Sequence, residues 1–270
     1  MSPNATRRRV SALVGSEGAA NCAPGGGEIW HMGETKRARE LAEQAVQSAA
    51  ELSHAPSSAN AYLYVTFLET RRGAPAAALR SEMVHALGRE QGMDFFVALG
   101  GILAGWARGR LYDPEAGAHE LTRALDGYFN RDNRVGTPWF KGLLAELVAV
   151  TSGPDAALTL INEGLAISQE TGEHFSDPYL YRLRGDILLK RDPAYPVPGE
   201  DAYRTAIAIA KDQGARSFQL LAALALAKLY QSTGCPAEAH AVLAPALEGF
   251  APTPEMPEIA EARALMERLA

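Results

Sequence analysis

Residues 177–250 decide the fold, because they contain four helical segments separated by glycine or proline. They read DPYLYRLRGDILLK (177–190), GEDAYRTAIAIAKDQG (199–214), SFQLLAALALAKLYQSTG (217–234) and PAEAHAVLAPALEGF (236–250). Within these segments apolar residues recur at the three- and four-residue spacing of a helix that buries one face. The stretch therefore predicts two consecutive helix pairs.

Glycines recur at a regular interval along the whole chain. Gly73, Gly153 and Gly234 fall between the two helices of predicted pairs and lie 80 and 81 residues apart. A second series closes the second helices, with spacings of 80 and 42 residues: Gly92, Gly172 and Gly214. Both series give a unit of about 40 residues, in the range of two-helix tetratricopeptide (TPR) or HEAT repeats.

These observations predict an all-α protein, a TPR-like α-solenoid. We expect a right-handed superhelix of about five antiparallel helix pairs plus a C-terminal capping helix. The repeat domain is predicted over residues 32–270. Residues 1–31 have no helical period and are rich in glycine, so they are predicted to be a disordered N-terminal tail.

Individual helices carry further expectations. Residues 33–53 resemble the second helix of a pair whose first helix is missing, and an unpaired helix suggests a homodimer. Residues 75–91 are predicted to be one helix, and 93–109 is apolar on nearly all sides, so it should be the most buried. Trp106 and Trp139 are expected in the core, and Thr253-Pro254-Glu255 is expected to open the terminal helix.

Net charge, cysteine count and the length of apolar runs argue against several classes of protein. The net charge of −6 argues against a nucleic-acid surface, and the short basic cluster at residues 7–9 is interpreted as a solvated tail. Cys22 and Cys235 are not expected to form a disulfide, and no apolar run is long enough to span a membrane. A cytoplasmic protein without nucleic-acid or membrane partners is therefore predicted.

The sequence contains no convincing catalytic or metal-binding motif. The six histidines form neither H-E-x-x-H nor a zinc-type spacing with cysteine. Ser176, His174 and Asp177 make a Ser/His/Asp set on paper, but serine and aspartate at a helix start are usually caps. We predict no catalytic residue, no metal, no cofactor and no enzymatic activity.

Candidate binding residues follow from the repeat. The first helix of each TPR-like pair lines a concave groove, and Gly185 is taken as the small packing residue that sets the register. The predicted groove residues are Asn60, Leu63, Phe67, Tyr179, Arg182, Asp186, Leu189, Leu221, Leu224 and Lys228. They would hold a protein or peptide partner. Alternatively, the same residues form the core between repeats.

Several segments resemble one family. LRGDILL, DAYRTAIAIAKDQGARSFQLLAALALAKLY and PAEAHAVLAPALEGF are similar to the C-terminal TPR region of bacterial multidomain regulators. In those proteins a class III adenylate cyclase or DNA-binding activator domain precedes an AAA-type ATPase and then the repeats. GGILAGWARGRL and SHAPSSANAY are also similar, so the resemblance covers residues 33–268.

The resemblance implies a regulatory role without the chemistry. The sequence contains no G-x-x-x-x-G-K-[ST] phosphate loop, so the ATP-binding motif of that family's ATPase domain is not present in it. We therefore expect a non-catalytic TPR-type protein–protein interaction module, from a bacterial signalling or transcription-regulator system. The alternatives are a small-molecule-sensing helical repeat and a remnant of a larger adenylate cyclase/ATPase regulator.

Overall fold

The computed structural model describes residues 29–52, 54–73, 75–129 and 134–269. These described residues contain α-helices, one 3₁₀ turn (His174–Ser176) and no strand. The helices are α1 (Thr35–Leu52), α2 (Ala55–Arg71), α3 (Pro75–Ala78), α4 (Ser81–Glu90), α5 (Asp94–Leu111), α6 (Pro114–Phe129), α7 (Thr137–Thr151), α8 (Pro154–Thr171), α9 (Asp177–Arg191), α10 (Val197–Gln213), α11 (Arg216–Ser232), α12 (Pro236–Leu247) and α13 (Glu258–Leu269).

The chain forms two compact units. Unit 1 comprises the residues up to Trp30 together with Glu34–Asp132, and unit 2 comprises His31–Gly33 and Asn133–Ala270. In unit 1, α5 packs along α6. In unit 2 the pairs are α7 with α8, α9 with α10 and α11 with α12, and α13 packs on α12. The predicted all-α, TPR-like helical repeat is confirmed.

The glycines that define the repeat lie at or beside helix ends. All six have positive φ, a backbone conformation in which other residues are strained. Gly172 and Gly214 are the C-caps of α8 and α10, at φ 74° and 68°. The regularly spaced glycines in the sequence therefore mark helix ends in the structure.

Other glycines bring paired helices into backbone contact. A Cβ at Gly105 of α5 would lie 2.8 Å from the backbone nitrogen of Leu121 in α6 and 3.1 Å from the carbonyl oxygen of Gly117. In unit 2, a Cβ at Gly185 of α9 would lie 3.0 Å from the carbonyl oxygen of Gly199 in α10. The backbones of α5 and α6 are therefore in direct contact, whereas at Gly185 the nearest atoms belong to the ring of Tyr203, at 2.5 and 2.6 Å.

The core predictions are confirmed where the structure describes them. Trp106 and Trp139 are 1% and 3% exposed. Helix α5 is buried along most of its length, as its apolar sequence predicted. Ala45 and Ala49 of α1 pack against Ala61 of α2, a contact that the second helix of one pair also makes with the first helix of the next pair. The missing first helix and the homodimer therefore stay predictions.

Two helix boundaries differ from the sequence expectation. The helix predicted at 75–91 is interrupted at residues 79–80, where Glu82 and Met83 donate backbone hydrogen bonds three residues back instead of four. The terminal helix begins at Glu258, five residues after Thr253, because Pro257 restricts the backbone of Met256 and supplies the first turn.

The predicted tail falls mostly outside the described residues. Residues 1–28 are not described, so disorder there stays a prediction. Residues 29–31 are helical, and Ile29 and Trp30 are 2% and 1% exposed. The next residues, His31–Gly33, belong to unit 2.

We expect Gly105→Ala to lower the stability of unit 1. In an open helix this change would stabilise by about 1 kcal/mol. Here the new methyl group meets backbone atoms that cannot rotate away, and overpacking of this kind costs about 1–3 kcal/mol. Urea denaturation should give a net loss, while Ala116→Ser on the exposed side of α6 should stay within about 0.5 kcal/mol of the parent. A stabilised Gly105→Ala variant would contradict the close approach.

Candidate functional site

A groove of about 600 Å³ in unit 2 lies between α9 and α11. Its floor is apolar, and charged side chains from α9, α11 and α13 stand along its sides. The lining residues are Arg182, Asp186, Leu189, Pro193, Tyr203, Leu221, Leu224, Ala225, Lys228, Leu229, Ser232, Glu258 and Glu261. The groove is therefore the candidate site of unit 2.

The helical period explains why one face of α11 builds the floor. Leu221, Ala225 and Leu229 recur every four residues, so they share one side of the helix. Leu224 is 3% exposed and belongs to the core below, whereas Leu221 and Leu229 are half-buried. Small and branched side chains therefore leave an apolar trough whose upper surface is open.

Asp186 is held by two donors at one side of the groove. The guanidinium of Arg182 donates to Oδ2 of Asp186 at 2.6 Å, and the Tyr203 hydroxyl donates to Oδ1 at 2.6 Å. Burial alone would lower the pKa of Arg182, but the negative charges of Asp186 and Glu146 outweigh it and raise that pKa. Burial and the Asp186 carboxylate also raise the pKa of Tyr203. Both groups thus stay protonated at neutral pH.

The opposite side of the groove is more exposed and has an acidic surplus. Lys228 of α11 forms a 2.7 Å ion pair with Glu261 of α13, and both side chains are 49% exposed. Glu258 lies one turn earlier on α13 and also lines the groove. Together with Arg182 and Asp186, the lining carries two positive and three negative groups. A bound segment with a basic residue would balance it.

An aromatic cluster lies at the start of the same two helices. Phe218 precedes Leu221 by three residues on α11, and Phe175 precedes Arg182 by seven residues on the other side. The ring of His31 lies between them, with centroid distances of 4.7 Å to Phe218 and 6.3 Å to Phe175. The stripe of α11 that contains Leu221 therefore leads toward this cluster, and Phe175 lies in the 3₁₀ turn before α9.

Six of the ten residues predicted from sequence lie together in this groove: Arg182, Asp186, Leu189, Leu221, Leu224 and Lys228. Tyr179 lies one turn before Arg182, where its hydroxyl donates to Glu146 at 2.9 Å. The other three belong to α2 of unit 1, where Leu63 is buried and Phe67 packs edge-on against Tyr64: Asn60, Leu63 and Phe67. Whether any of the ten binds a partner stays a prediction.

Sequence reasoning missed about half of the lining. Ala225, Leu229 and Ser232 follow from the register of Leu221, because they continue its stripe by three and four residues. Glu258 and Glu261 did not follow, because they belong to the terminal helix and reach the groove through the packing of α13.

Unit 1 has a smaller cleft, of about 380 Å³, between α4, α5 and α6. Arg108 crosses it and donates to Glu82 at 2.8 Å and to Glu120 at 2.8 Å. Nδ1 of His85 lies 2.9 Å from the carbonyl oxygen of Val97. Arg108 and the two glutamates of this cleft are therefore paired with one another.

A Ser/His/Asp cluster exists, but its serine is Ser168 and not the Ser176 considered from sequence. Ser168 donates to Oδ1 of Asp177 at 2.6 Å, and Nδ1 of His174 lies 2.9 Å from both Ser168 Oγ and Asp177 Oδ2. In a catalytic triad the serine and the acid contact different ring nitrogens. Here both contact Nδ1, so the cluster joins the end of α8 to the start of α9.

The described residues show neither a metal cluster nor a membrane-spanning helix. Within them no group of three or more His, Cys, Asp or Glu side chains is arranged to hold a metal ion. In the same part of the chain no helix combines the length and apolar character required to cross a bilayer.

Comparison with known proteins supports the fold. No protein-family model matches the chain, and no curated protein matches it. The crystal structure of the apo form of RapI is similar, with a TM-score of 0.61 at 14% sequence identity, over 98% of this chain and 91% of RapI. At this identity the likeness shows the fold, a TPR-like all-α helical repeat.

We expect Tyr203→Phe to destabilise unit 2 by about 1–2 kcal/mol, because it removes a hydrogen bond to a charged and partly buried carboxylate. Tyr195→Phe is the matched control, since Tyr195 is 60% exposed and should tolerate the same change. Urea denaturation followed by circular dichroism measures both. Equal stabilities of the two variants would contradict the role assigned to the Asp186 network.

Proposed function

We propose that the chain is a non-catalytic interaction module and that the unit 2 groove binds an apolar segment of a protein partner. The observation that carries the proposal is the groove itself, an open apolar trough with fixed charges along its sides. The resemblance of the repeats to those of bacterial regulators favours a partner in a signalling or transcription-regulator system.

The dimensions of the groove restrict what it can hold. Leu221 and Ser232 are eleven residues apart on α11, so the floor is about 16 Å long. That length accommodates about three turns of a helix or about five residues of extended chain. A short linear segment of a partner fits this surface better than a folded domain.

The chemistry of the lining restricts it further. The floor favours leucine, isoleucine or valine side chains, because apolar surface removed from water contributes about 25 cal/mol per Å². Arg182 and Asp186 already form an ion pair with each other, so they form one side of the groove and would orient the bound segment. The exposed pair of Lys228 and Glu261 can exchange partners with the incoming segment at little cost.

A display experiment tests the proposal and identifies the sequences that the groove prefers. A random peptide library is selected on the immobilised chain, and the dissociation constants of enriched peptides are measured by calorimetry. Leu221→Asp should weaken binding at least about tenfold, a free-energy change of about 1.4 kcal/mol. The matched control is Val150→Asp, because Val150 is 70% exposed on α7 and does not line the groove.

A second pair of variants separates binding from folding. Lys228→Glu changes an exposed groove charge and should alter affinity without loss of helicity, whereas Lys211→Glu makes the same change on the exposed face of α10. Peptides that bind all four variants equally, or a library that yields no binder, would contradict the proposal.

A small-molecule sensor is the second candidate, favoured by the groove volume. About 600 Å³ lies within the 300–1,000 Å³ of ordinary ligand sites. We predict that a true ligand, present at 100 times its dissociation constant, stabilises the chain by about 2.7 kcal/mol. Thermal denaturation against a metabolite panel measures this. A shift that persists in Leu221→Asp would place the ligand elsewhere.

A further inference from the structure

Two carboxylates of α13 line one side of the groove in unit 2. Glu258 and Glu261 are three residues apart, so they lie on the same side of the helix. The carboxylate of Glu261 pairs with Nζ of Lys228 at 2.7 Å. Within the part of the chain that the structure describes, the carboxylate of Glu258 has no such partner. The α13 side therefore has one carboxylate more than its own lysine can pair with.

The charges on the opposite side are balanced within the protein. Asp186 of α9 accepts hydrogen bonds from Arg182 and from the Tyr203 hydroxyl, each at 2.6 Å. The α13 side, by contrast, has two carboxylates and one ammonium group, which leaves one negative charge. The unbalanced charge of the groove therefore lies at α13, beside the apolar floor that α11 provides.

Lys228 shows that a cation fits between this floor and α13. It follows Leu224 by four residues and Ala225 by three, so its side chain begins on the groove side of α11. The side chains of Lys228 and Glu261 are both 49% exposed. Exposed ion pairs contribute little to stability, because water solvates both charges and salt screens them. A cation from a partner can therefore take the place of Lys228.

We propose that the groove selects a basic amphipathic segment, in which a lysine or arginine replaces Lys228 at Glu258 and Glu261 while apolar neighbours pack on the floor. This rests on the proposed function of the groove and names the charge of its partner. The methylene stem of such a cation can cover apolar surface while its charged end reaches α13. An acidic segment would be repelled by the same two carboxylates.

Selection of one random peptide library on different chains tests the preference. We expect peptides from the parent chain to combine leucine, isoleucine or valine with lysine or arginine. Peptides from Glu258→Gln/Glu261→Gln should keep the apolar residues and lose the basic one. The matched control is Glu238→Gln/Glu267→Gln, which removes the same charge at exposed positions outside the groove; Glu238 lies in the first turn of α12, as Glu258 does in α13. Circular dichroism should show the same helicity for all three chains.

Calorimetry then measures the contact with one enriched peptide and a copy whose basic residue is glutamine. We expect the glutamine copy to bind the parent and the control about tenfold more weakly, a difference of about 1.4 kcal/mol. Its loss of affinity for Glu258→Gln/Glu261→Gln should be less than about twofold, because the carboxylates that recognise the cation are gone. The comparison isolates the ion pair, since the two peptides share their apolar residues.

Lys228→Gln tests whether the partner's cation replaces Lys228. This change removes the resident cation and leaves both carboxylates, so the basic peptide should bind about threefold more tightly and its glutamine copy equally well. Lys211→Gln removes the same charge from the exposed face of α10 and should affect neither peptide. Weaker binding of the basic peptide to Lys228→Gln would overturn the replacement, because Lys228 would then support the partner.

The two proposals fail separately. Peptides that lose affinity for Leu221→Asp, yet are no richer in basic residues on the parent than on Glu258→Gln/Glu261→Gln, would overturn this inference and leave the groove as a binding site. A basic peptide that binds Leu221→Asp as tightly as the parent would also overturn it, because charge alone would then attract the peptide. A library that yields no binder on any of these chains would overturn both proposals.

Discussion

The structure depends on close contact, at glycines, between the two helices of a pair. At Gly105 and Gly117 in unit 1 a single methyl group would meet backbone atoms of the neighbouring helix, and at Gly185 in unit 2 it would meet the Tyr203 ring and the carbonyl oxygen of Gly199. Glycine inside a helix lowers the stability of that helix by about 1 kcal/mol relative to alanine. The packing between the two helices must therefore stabilise the fold by more than this amount. Close pairing determines which face of each helix is buried against its partner helix and which face is available to line the groove.

The groove is a consequence of that division. Gly185 turns one side of α9 toward α10, and a Cβ there would also meet the ring of Tyr203 at 2.5 Å. The remaining side carries Arg182, Asp186 and Leu189 into the groove. Tyr203 contributes to both features, because its ring packs on Gly185 and its hydroxyl holds Asp186. The contact that pairs α9 with α10 therefore also holds Asp186 in the wall of the groove.

Helix ends and the faces of single helices could be predicted from the sequence, whereas contacts between helices far apart in the sequence could not. Glycine spacing indicated the helix ends, because positive φ is a local requirement that few other residues meet. The register of α9 and α11 placed six groove residues, because the helical period is also local. Glu258 and Glu261 could not be placed, since α13 reaches the groove through tertiary packing. Ser168 was missed because it meets His174 and Asp177 across the turn at Gly172, a contact that the period of a single helix does not specify.

Binding of a partner segment between α9 and α11 would change the surroundings of the leucine methyl groups that form the groove floor. Methyl NMR spectra of the full chain, recorded during titration with a selected peptide, therefore locate the binding site. We expect the shift changes to concentrate at Leu189, Leu221, Leu224 and Leu229. Changes concentrated instead around Val97 and Ala104, in the cleft of unit 1, would contradict binding in the groove.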